Sequence, residues 1–270
     1  MRRRAAGNIF KALLLVGVLA GISAGIGWVI GHERTASLFA FCALLAAVAV
    51  YWVGDRALLG MLGARPFALA EDPILRSATD RIAAQLAVAP PRLSLIDDGF
   101  PRAFVVGRGP RSSTLAVSTG LLRALRRDEL EAVIAHELAH VRSRDVLTQT
   151  FAVLFAATLV ETSRVGGWLS RWLLFVLAPI AAAFTHLLLS PKRELAADAD
   201  AARVCDPHDL ADALLRLDRA AELVSFAASP ATEPLYTVDP FDEDRLSRMF
   251  RTHPPLEARI AALRSAGPPA

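Results

Sequence analysis

The chain has 270 residues, of which 54% are hydrophobic, and a formal net charge of +3. Soluble globular domains usually have an apolar share of about 45–50%, so this composition argues against an entirely soluble protein. The basic residues are scattered along the chain without an aromatic-interleaved basic patch, which argues against nucleic acid as a partner. The two cysteines, Cys42 and Cys205, lie far apart in the sequence and do not indicate a disulfide scaffold.

Two apolar runs open the chain. Residues 12–30 contain no charged residue and are long enough to cross a bilayer. A second run, residues 36–53, follows after the short link 31–35. A cleaved signal peptide has a shorter apolar part that ends at a small-residue cleavage site. Residues 1–54 are therefore predicted to form a transmembrane hairpin.

Residues 55–145 are predicted to begin a cytoplasmic domain of helices and short strands. Asp72 before Pro73 is typical of a helix start and predicts a helix to about Ala87. The segments "RLSLI", "RAFVV" and "TLAVS" predict three strands separated by turn residues. A helical pattern then begins after Gly120 and continues to the end of this segment.

Residues 146–189 hold two more apolar runs, 146–160 and 172–189, and are predicted to form a second transmembrane hairpin. A buried core hairpin in a soluble domain is the alternative. Residues 190–270 are predicted to complete the cytoplasmic domain. This part has helices at 191–202, 207–226 and 255–266 and a surface loop at 229–244.

The segment "AVIAHELAHVRSRD", residues 132–145, places His136 and His140 one helical turn apart. Both imidazoles can then bind one metal ion, and Glu137 lies beside the first of them. This is the zincin arrangement, in which two histidines bind zinc and the glutamate acts as general base. Two surface histidines on an ordinary helix are the alternative.

A catalytic zinc site usually has a third protein ligand. In "SPKRELAADADA", Glu194 and Asp198 share one helix face, so Glu194 could bind the metal and Asp198 could orient a ligating imidazole. His186 is the competing candidate for the third ligand. Glu194 can meet His136 only if the intervening chain crosses the membrane an even number of times, as two apolar runs allow.

Three motifs, "AHELAHVRSRD", "KRELAADADA" and "THPPLEARI", occur in this order. Two apolar runs precede the first motif, and two separate the first from the second. With this arrangement the chain resembles the HtpX family of membrane zinc metalloproteases, which are relatives of the CAAX prenyl proteases. The resemblance implies a bacterial cytoplasmic-membrane endopeptidase that acts in membrane-protein quality control. It also implies one zinc ion per chain and a cytoplasmic catalytic domain.

The resemblance assigns roles to individual residues. It implies that His136, His140 and Glu194 bind zinc, that Glu137 is the catalytic base, and that Asp198 is the acid that follows the third ligand. It implies that His253 steadies the tetrahedral intermediate, and that Ala103 and Phe104 lie in the substrate-binding strand. Arg102 is the third candidate substrate-binding residue: the family usually has Asn-Ala before the aromatic residue, and this chain has Arg102 in the asparagine position.

The expected fold is a membrane protein of four transmembrane helices with an α+β zincin-like metalloprotease domain. The expected partners are protein or peptide substrates, especially membrane proteins, and the lipid bilayer. An antirepressor-type signalling protease, a prenyl-protein endopeptidase and a non-catalytic metal-stabilised membrane scaffold stay open as alternatives. The presence of Glu137 argues against the scaffold, because a structural metal site needs no base.

Overall fold

The computed structural model describes residues 2–68, 72–165, 170–223 and 254–267. These residues form nine helices and four strands. In chain order they are α1 (Arg2–Met61), β1 (Ala64–Pro66), α2 (Pro73–Gln85), β2 (Arg92–Ile96), β3 (Ala103–Gly109), β4 (Ser112–Ser118), α3 (Thr119–Ala124), α4 (Arg127–Ser143), α5 (Val146–Val165), α6 (Ser170–Leu188), α7 (Pro191–Ala201), α8 (Pro207–Leu223) and α9 (Leu256–Ser265).

Helix α1 is broken at Gly31 and His32, whose backbone angles are not helical. A Cβ built on Gly27 would lie 2.5 Å from the carbonyl oxygen of Thr35, so the chain after the break packs back against the chain before it. Within α1, residues Val16–Met61 are long and apolar enough to cross a membrane, and they carry many exposed large apolar side chains. The break lies in the link 31–35 between the two predicted spans, which remain a prediction.

The four strands form one sheet in the order β1-β2-β4-β3, so β1 and β3 are its edge strands. Strands β2 and β4 are parallel, whereas β3 runs antiparallel to β4 with Phe104 opposite Ala116. Alternate side chains leave a strand on opposite faces, and both faces of this sheet are covered. Leu115 and Val117 pack on a core that includes residues of α2, α4 and α8.

The other face of the sheet packs against the membrane-proximal helices. Phe104 and Val106 of β3 contact a cluster formed by Leu58 of α1 and by Val153 and Leu154 of α5. The first half of α5 is therefore buried inside the protein. Further along, the ring of Phe155 lies 4.8 Å from that of Phe184, so α5 and α6 are neighbours in space.

The prediction of a domain that mixes helices and strands is confirmed, and four membrane-spanning helices remain a prediction. One local expectation was wrong, and one strand was not predicted. Strand β1 was not foreseen, because three residues that end in proline carry no strand pattern. The single helical pattern after Gly120 is in fact two helices, since Leu125 and Arg126 have extended backbone angles. The predicted surface loop, residues 229–244, lies outside the described residues.

Candidate metal centre

The two histidines lie in the middle of α4, a helix with defined ends. At its start, the backbone N–H of Arg126 donates to Oε2 of Glu129 at 2.7 Å, which satisfies a donor that the helix leaves unpaired. At its end, Arg144 adopts a left-handed conformation with φ 59°. This residue stops the helix and turns the chain, so that the backbone N–H of Asp145 contacts the carbonyl oxygen of His140 at 3.3 Å.

Glu194, the acidic candidate for the third metal ligand, comes from α7, which packs against α4. Ser190 caps this helix by accepting a hydrogen bond from the backbone N–H of Lys192, and Pro191 occupies its first turn. Glu194 and Asp198 are buried on one face of α7, together with Ala197. This face of α7 is turned toward His136 and His140.

Three side chains converge on one point. Nε2 of His136 lies 3.4 Å from Oε2 of Glu194, and Nε2 of His140 lies 3.6 Å from Oε1 of the same carboxylate. One potential ligand atom from each residue lies within 4.8 Å of the others, and all three residues are buried. His186, the competing candidate, is exposed on α6 and is absent from this cluster.

Each imidazole also has a carboxylate oxygen close to its other nitrogen. Nδ1 of His136 lies 2.8 Å from Oδ1 of Asp198, and Nδ1 of His140 lies 3.1 Å from Oδ2 of Asp145. A carboxylate at Nδ1 fixes the ring orientation and leaves Nε2 to bind a metal. Asp198 therefore lies where it can orient His136, and Asp145, which the sequence analysis missed, occupies the same position for His140.

Two arginines partly neutralise the carboxylates of Asp198 and Glu194. Arg259 of α9 donates from Nε and Nη2 to the two oxygens of Asp198, each at 2.8 Å. Arg193 donates from Nη2 to Oε1 of Glu194 at 2.9 Å and from Nη1 to the side-chain oxygen of Gln149 at 3.3 Å. Neither arginine was predicted, although "THPPLEARI" contains the first and "KRELAADADA" contains the second.

The charge of the cluster fits a divalent cation. Four buried side chains are carboxylates, namely Glu137, Asp145, Glu194 and Asp198, and two guanidinium groups, of Arg193 and Arg259, accompany them. With neutral imidazoles, two negative charges remain uncompensated, which is costly in a buried site. A Zn²⁺ ion would neutralise them, and two histidines with one glutamate are a common ligand set of catalytic zinc.

The pKa values of the metal-free site show the same excess of negative charge. Burial alone lowers the pKa of His140, but the charges of Asp145 and Glu194 outweigh it and raise this pKa to about 10. Burial also lowers the pKa of His136, and the contact with Asp198 reverses that shift, so that the pKa is raised. The carboxylates thus favour the protonated form of both imidazoles, in the place where a metal ion would otherwise compensate the negative charge.

The buried acids divide into two classes. Burial raises the pKa of Glu137, and the nearby histidines offset only part of that shift. Burial would also raise the pKa of Asp198, but Arg259 lowers it to about 2. Asp198 is therefore a permanent anion, whereas Glu137 has the raised pKa that suits a proton acceptor and donor.

The remaining predicted site residues are on β3, directly before it, or outside the described part of the chain. Arg102 is buried, and its guanidinium pairs with the carboxylate of Asp98. Its backbone carbonyl accepts a hydrogen bond from the N–H of Ser118 at 2.9 Å. Ala103 and Phe104 follow on the edge strand β3, which packs against α4. His253 lies outside the described residues.

Comparison with known proteins identifies the family. The profile of peptidase family M48 matches residues 69–266. The "Protease HtpX homolog" of Acidiphilium cryptum is 38% identical over 275 residues, covering 95% of this chain and 96% of that protein. The protein of the same name from Pyrococcus furiosus is 36% identical over 270 residues, covering 93% of each.

A solved structure titled "Crystal Structure of S. mikatae Ste24p" aligns with 97% of this chain and 66% of its own, with 17% identity and a TM-score of 0.49. The resemblance to the HtpX family is confirmed by the curated relatives. Together with the convergent His-His-Glu group, the family match leads to one conclusion. The chain belongs to peptidase family M48 and is a membrane-associated zinc metalloprotease.

Proposed function

We propose that this protease cleaves peptide bonds in membrane or misfolded proteins at the cytoplasmic face of a bacterial cell membrane. The observation that carries the proposal is the convergence of His136, His140 and Glu194 beside the buried base Glu137. A site with three ligands and an adjacent carboxylate is suited to hydrolysis, whereas a structural metal site is usually closed by four ligands.

The proposed roles follow from the chemistry of the side chains. His136, His140 and Glu194 would hold the zinc ion, which would supply a Lewis acid for the scissile carbonyl and for water. Glu137 accepts the proton of the attacking water and passes it to the leaving amine, a task that its raised pKa favours. His253 is proposed to donate a hydrogen bond to the oxyanion that develops on the scissile carbonyl.

The proposed peptide site is the edge strand β3. An extended peptide can add to a sheet edge through main-chain hydrogen bonds, and β3 is at the edge of this sheet next to α4. We place the peptide along Ala103 and Phe104. The guanidinium of Arg102 is engaged with Asp98, so its contribution to the strand is to fix the backbone before Ala103.

The proposed location is a multi-pass position in the cytoplasmic membrane, with the catalytic domain in the cytoplasm. Its support is the apolar stretch Val16–Met61, which exposes Ile22, Val29, Phe41 and other large apolar residues. Such a surface is unfavourable in water and favourable in lipid. Residues 12–30, 36–53 and 146–189 are the proposed spanning segments, with residues 55–145 and 190–270 as the two parts of the protease domain.

The deciding experiment is Glu137→Gln in the full-length protein, purified in detergent. The amide cannot accept a proton, so we expect normal zinc content and a loss of casein cleavage by at least about a hundredfold. Glu257→Gln makes the same chemical change at an exposed position on α9 and is the matched control. Undiminished cleavage by a zinc-loaded Glu137→Gln protein would contradict the proposed base. A substrate panel of casein, a prenylated peptide and a misfolded membrane protein would then identify the substrate class.

A further inference from the structure

The tip of the β3–β4 hairpin lies against the end of α1. The guanidinium carbon of Arg108 is 4.9 Å from the ring centre of Trp52 and 5.8 Å from that of Tyr51. The two aromatic rings meet edge to face, with 5.6 Å between their centres. Trp52 nevertheless has 59% of its surface exposed. A cation thus lies beside an aromatic pair that the protein covers only in part.

The position of this pair along the chain corresponds to a membrane boundary. Tyr51 and Trp52 are at the end of the proposed span 36–53, and tryptophan and tyrosine are enriched at the headgroup level of bilayers. Immediately afterwards, buried Asp55 contacts Arg92 at the start of β2, so the protease domain begins there. On β3, the N–H of Gly107 donates to Oγ1 of Thr150 in α5 at 3.3 Å. The hairpin tip is therefore at the junction of the domain with its membrane helices.

The two arginines of the hairpin tip, Arg108 and Arg111, have no acidic partner in the described part of the chain. Arg108 donates to Oγ of Ser112 at 3.2 Å, and its Nε is buried without a hydrogen-bond partner among the described residues. Arg111, at the turn of the hairpin, is exposed. Neither of the two forms an ion pair with a described carboxylate, unlike Arg65 of β1, which pairs with Asp97 just after β2.

From these observations we propose that the hairpin tip, defined by Arg108 and Arg111 with Tyr51 and Trp52, binds the phosphate of an anionic phospholipid headgroup. The aromatic pair would sit at the level of the glycerol backbone and the two arginines at the phosphate. The inference rests on the proposed membrane hairpin. It also has a consequence for the protease: headgroup binding fixes one end of β3, and with it the proposed peptide strand, at the membrane surface.

The test uses full-length protein reconstituted in vesicles, with Trp52 as its only tryptophan and the other three changed to phenylalanine. Phosphatidylglycerol brominated on the acyl chain quenches a nearby indole and is compared with brominated phosphatidylcholine at the same low mole fraction. We expect stronger quenching by the anionic lipid, since each arginine near the surface contributes a preference of up to roughly fivefold. Added salt should reduce the difference.

Two variants and two controls make the outcome decisive. Arg111→Gln, at an exposed position without a described side-chain contact, should reduce the preference, and Arg108→Gln with Arg111→Gln should abolish it. Arg123→Gln, an exposed arginine beyond the opposite end of β4, should leave it unchanged. Equal quenching by both lipids in the parent protein, or an unchanged preference in the double variant, overturns the headgroup site. A protein with Trp28 as its only tryptophan should be quenched by both lipids, and its failure to respond would instead overturn the membrane hairpin.

Discussion

Asp145 connects the metal centre to the first turn of α5. Its carboxylate holds Nδ1 of His140 at 3.1 Å, while its backbone carbonyl accepts the N–H of Gln149. The side chain of Gln149 in turn accepts from Arg193, which contacts the ligand Glu194. One aspartate thus connects a metal-binding imidazole to α5, the first helix of the proposed second membrane hairpin.

Asp145→Asn should weaken zinc binding without unfolding the protein. The amide keeps the shape of the side chain but loses the negative charge that favours the correct orientation of His140. Outer carboxylates of this kind typically contribute about 10–100-fold to metal affinity. The zinc dissociation constant, measured by competition with a chelator, should increase accordingly, whereas Asp128→Asn, exposed at the start of α4, should not change it. Equal affinities for all three proteins would remove Asp145 from the metal centre.

Zinc binding to the metal-free protein should release protons at neutral pH. Because the pKa of His140 is raised to about 10, its imidazole is protonated at pH 7, yet only a neutral imidazole can bind zinc. Zinc affinity should therefore rise with pH up to about 10 and fall as the pH is lowered. Calorimetric titration with zinc in buffers of different protonation enthalpy measures the protons released. Asp145→Asn removes a charge that raises this pKa and should release fewer. A binding enthalpy independent of the buffer would show that no proton is displaced.

Some residues of the metal centre could be predicted from the sequence, and others could not. His136, His140 and Glu137 share one helical turn, and Glu194 and Asp198 share another, so helix periodicity brings each group to one face. Arg259 pairs with Asp198 across 61 positions of sequence, and no local pattern relates them. Asp145 was missed for a different reason: it meets His140 only because Arg144 adopts a left-handed conformation, which periodicity does not encode.

At the scale of elements, alternation and turn residues located three of the four strands. The parallel pairing of β2 with β4 could not be predicted. In the sequence β3 lies between these two strands, but in the sheet it lies outside them, at the edge next to β4. The end of α3 could not be predicted either, because Leu125 and Arg126, which follow it, are neither glycine nor proline. Leu125 belongs to the same buried core as Val133 of α4, so we attribute the end of α3 to tertiary packing.

Gly27→Ala should lower the stability of the protein, whereas Gly21→Ala should not. Alanine favours a helix over glycine by about 0.5–1 kcal/mol, and nothing lies within 4 Å of a Cβ at Gly21. At Gly27 the added carbon would lie 2.5 Å from the carbonyl oxygen of Thr35 and 2.8 Å from Cα of Ala36, so the two halves of α1 must separate. In detergent, the midpoint of thermal unfolding should fall by roughly 2–4 °C per kcal/mol lost for Gly27→Ala. For Gly21→Ala it should stay or rise. A rise for both variants would contradict the close packing of the hairpin.

At the scale of the whole molecule, the metal centre constrains the membrane topology. Its histidines precede the proposed second hairpin, 146–189, and Glu194 follows it. Because these side chains meet in one buried site, the chain between them starts and ends on the same side of the membrane. Arg259 of α9 joins the same site, which brings the residues near the C-terminus to that side as well. Even numbers of crossings therefore follow from the ligand geometry, independently of hydropathy.

Charges near the spans predict which side this is. Arg2, Arg3, Arg4 and Lys11 precede the first proposed span, whereas the link 31–35 holds only Arg34, offset by Glu33. Basic residues in short flanks stay in the cytoplasm, so the N-terminus should be cytoplasmic. Two crossings return the chain to the cytoplasm before Arg56. Directly after the second hairpin, Lys192 adds to this bias, whereas the neighbouring Arg193 is engaged with Glu194 in the metal centre.

Reporter fusions after residues 31, 65, 166 and 270 would test this arrangement. We expect a periplasmic reporter to be active only at positions 31 and 166, and a cytoplasmic reporter only at positions 65 and 270. Opposite signals at 65 and 270 would contradict the shared metal centre, since that site requires both parts of the domain on one side. A periplasmic signal at both would instead keep the metal centre and invert the protein, which would place the protease outside the cytoplasm. The flank most able to produce such an inversion is the segment around residue 166, because it holds two basic residues, Arg164 and Arg171, and only one acidic residue, Glu161, close to them. Changing both arginines to glutamine should therefore leave the expected orientation intact or strengthen it.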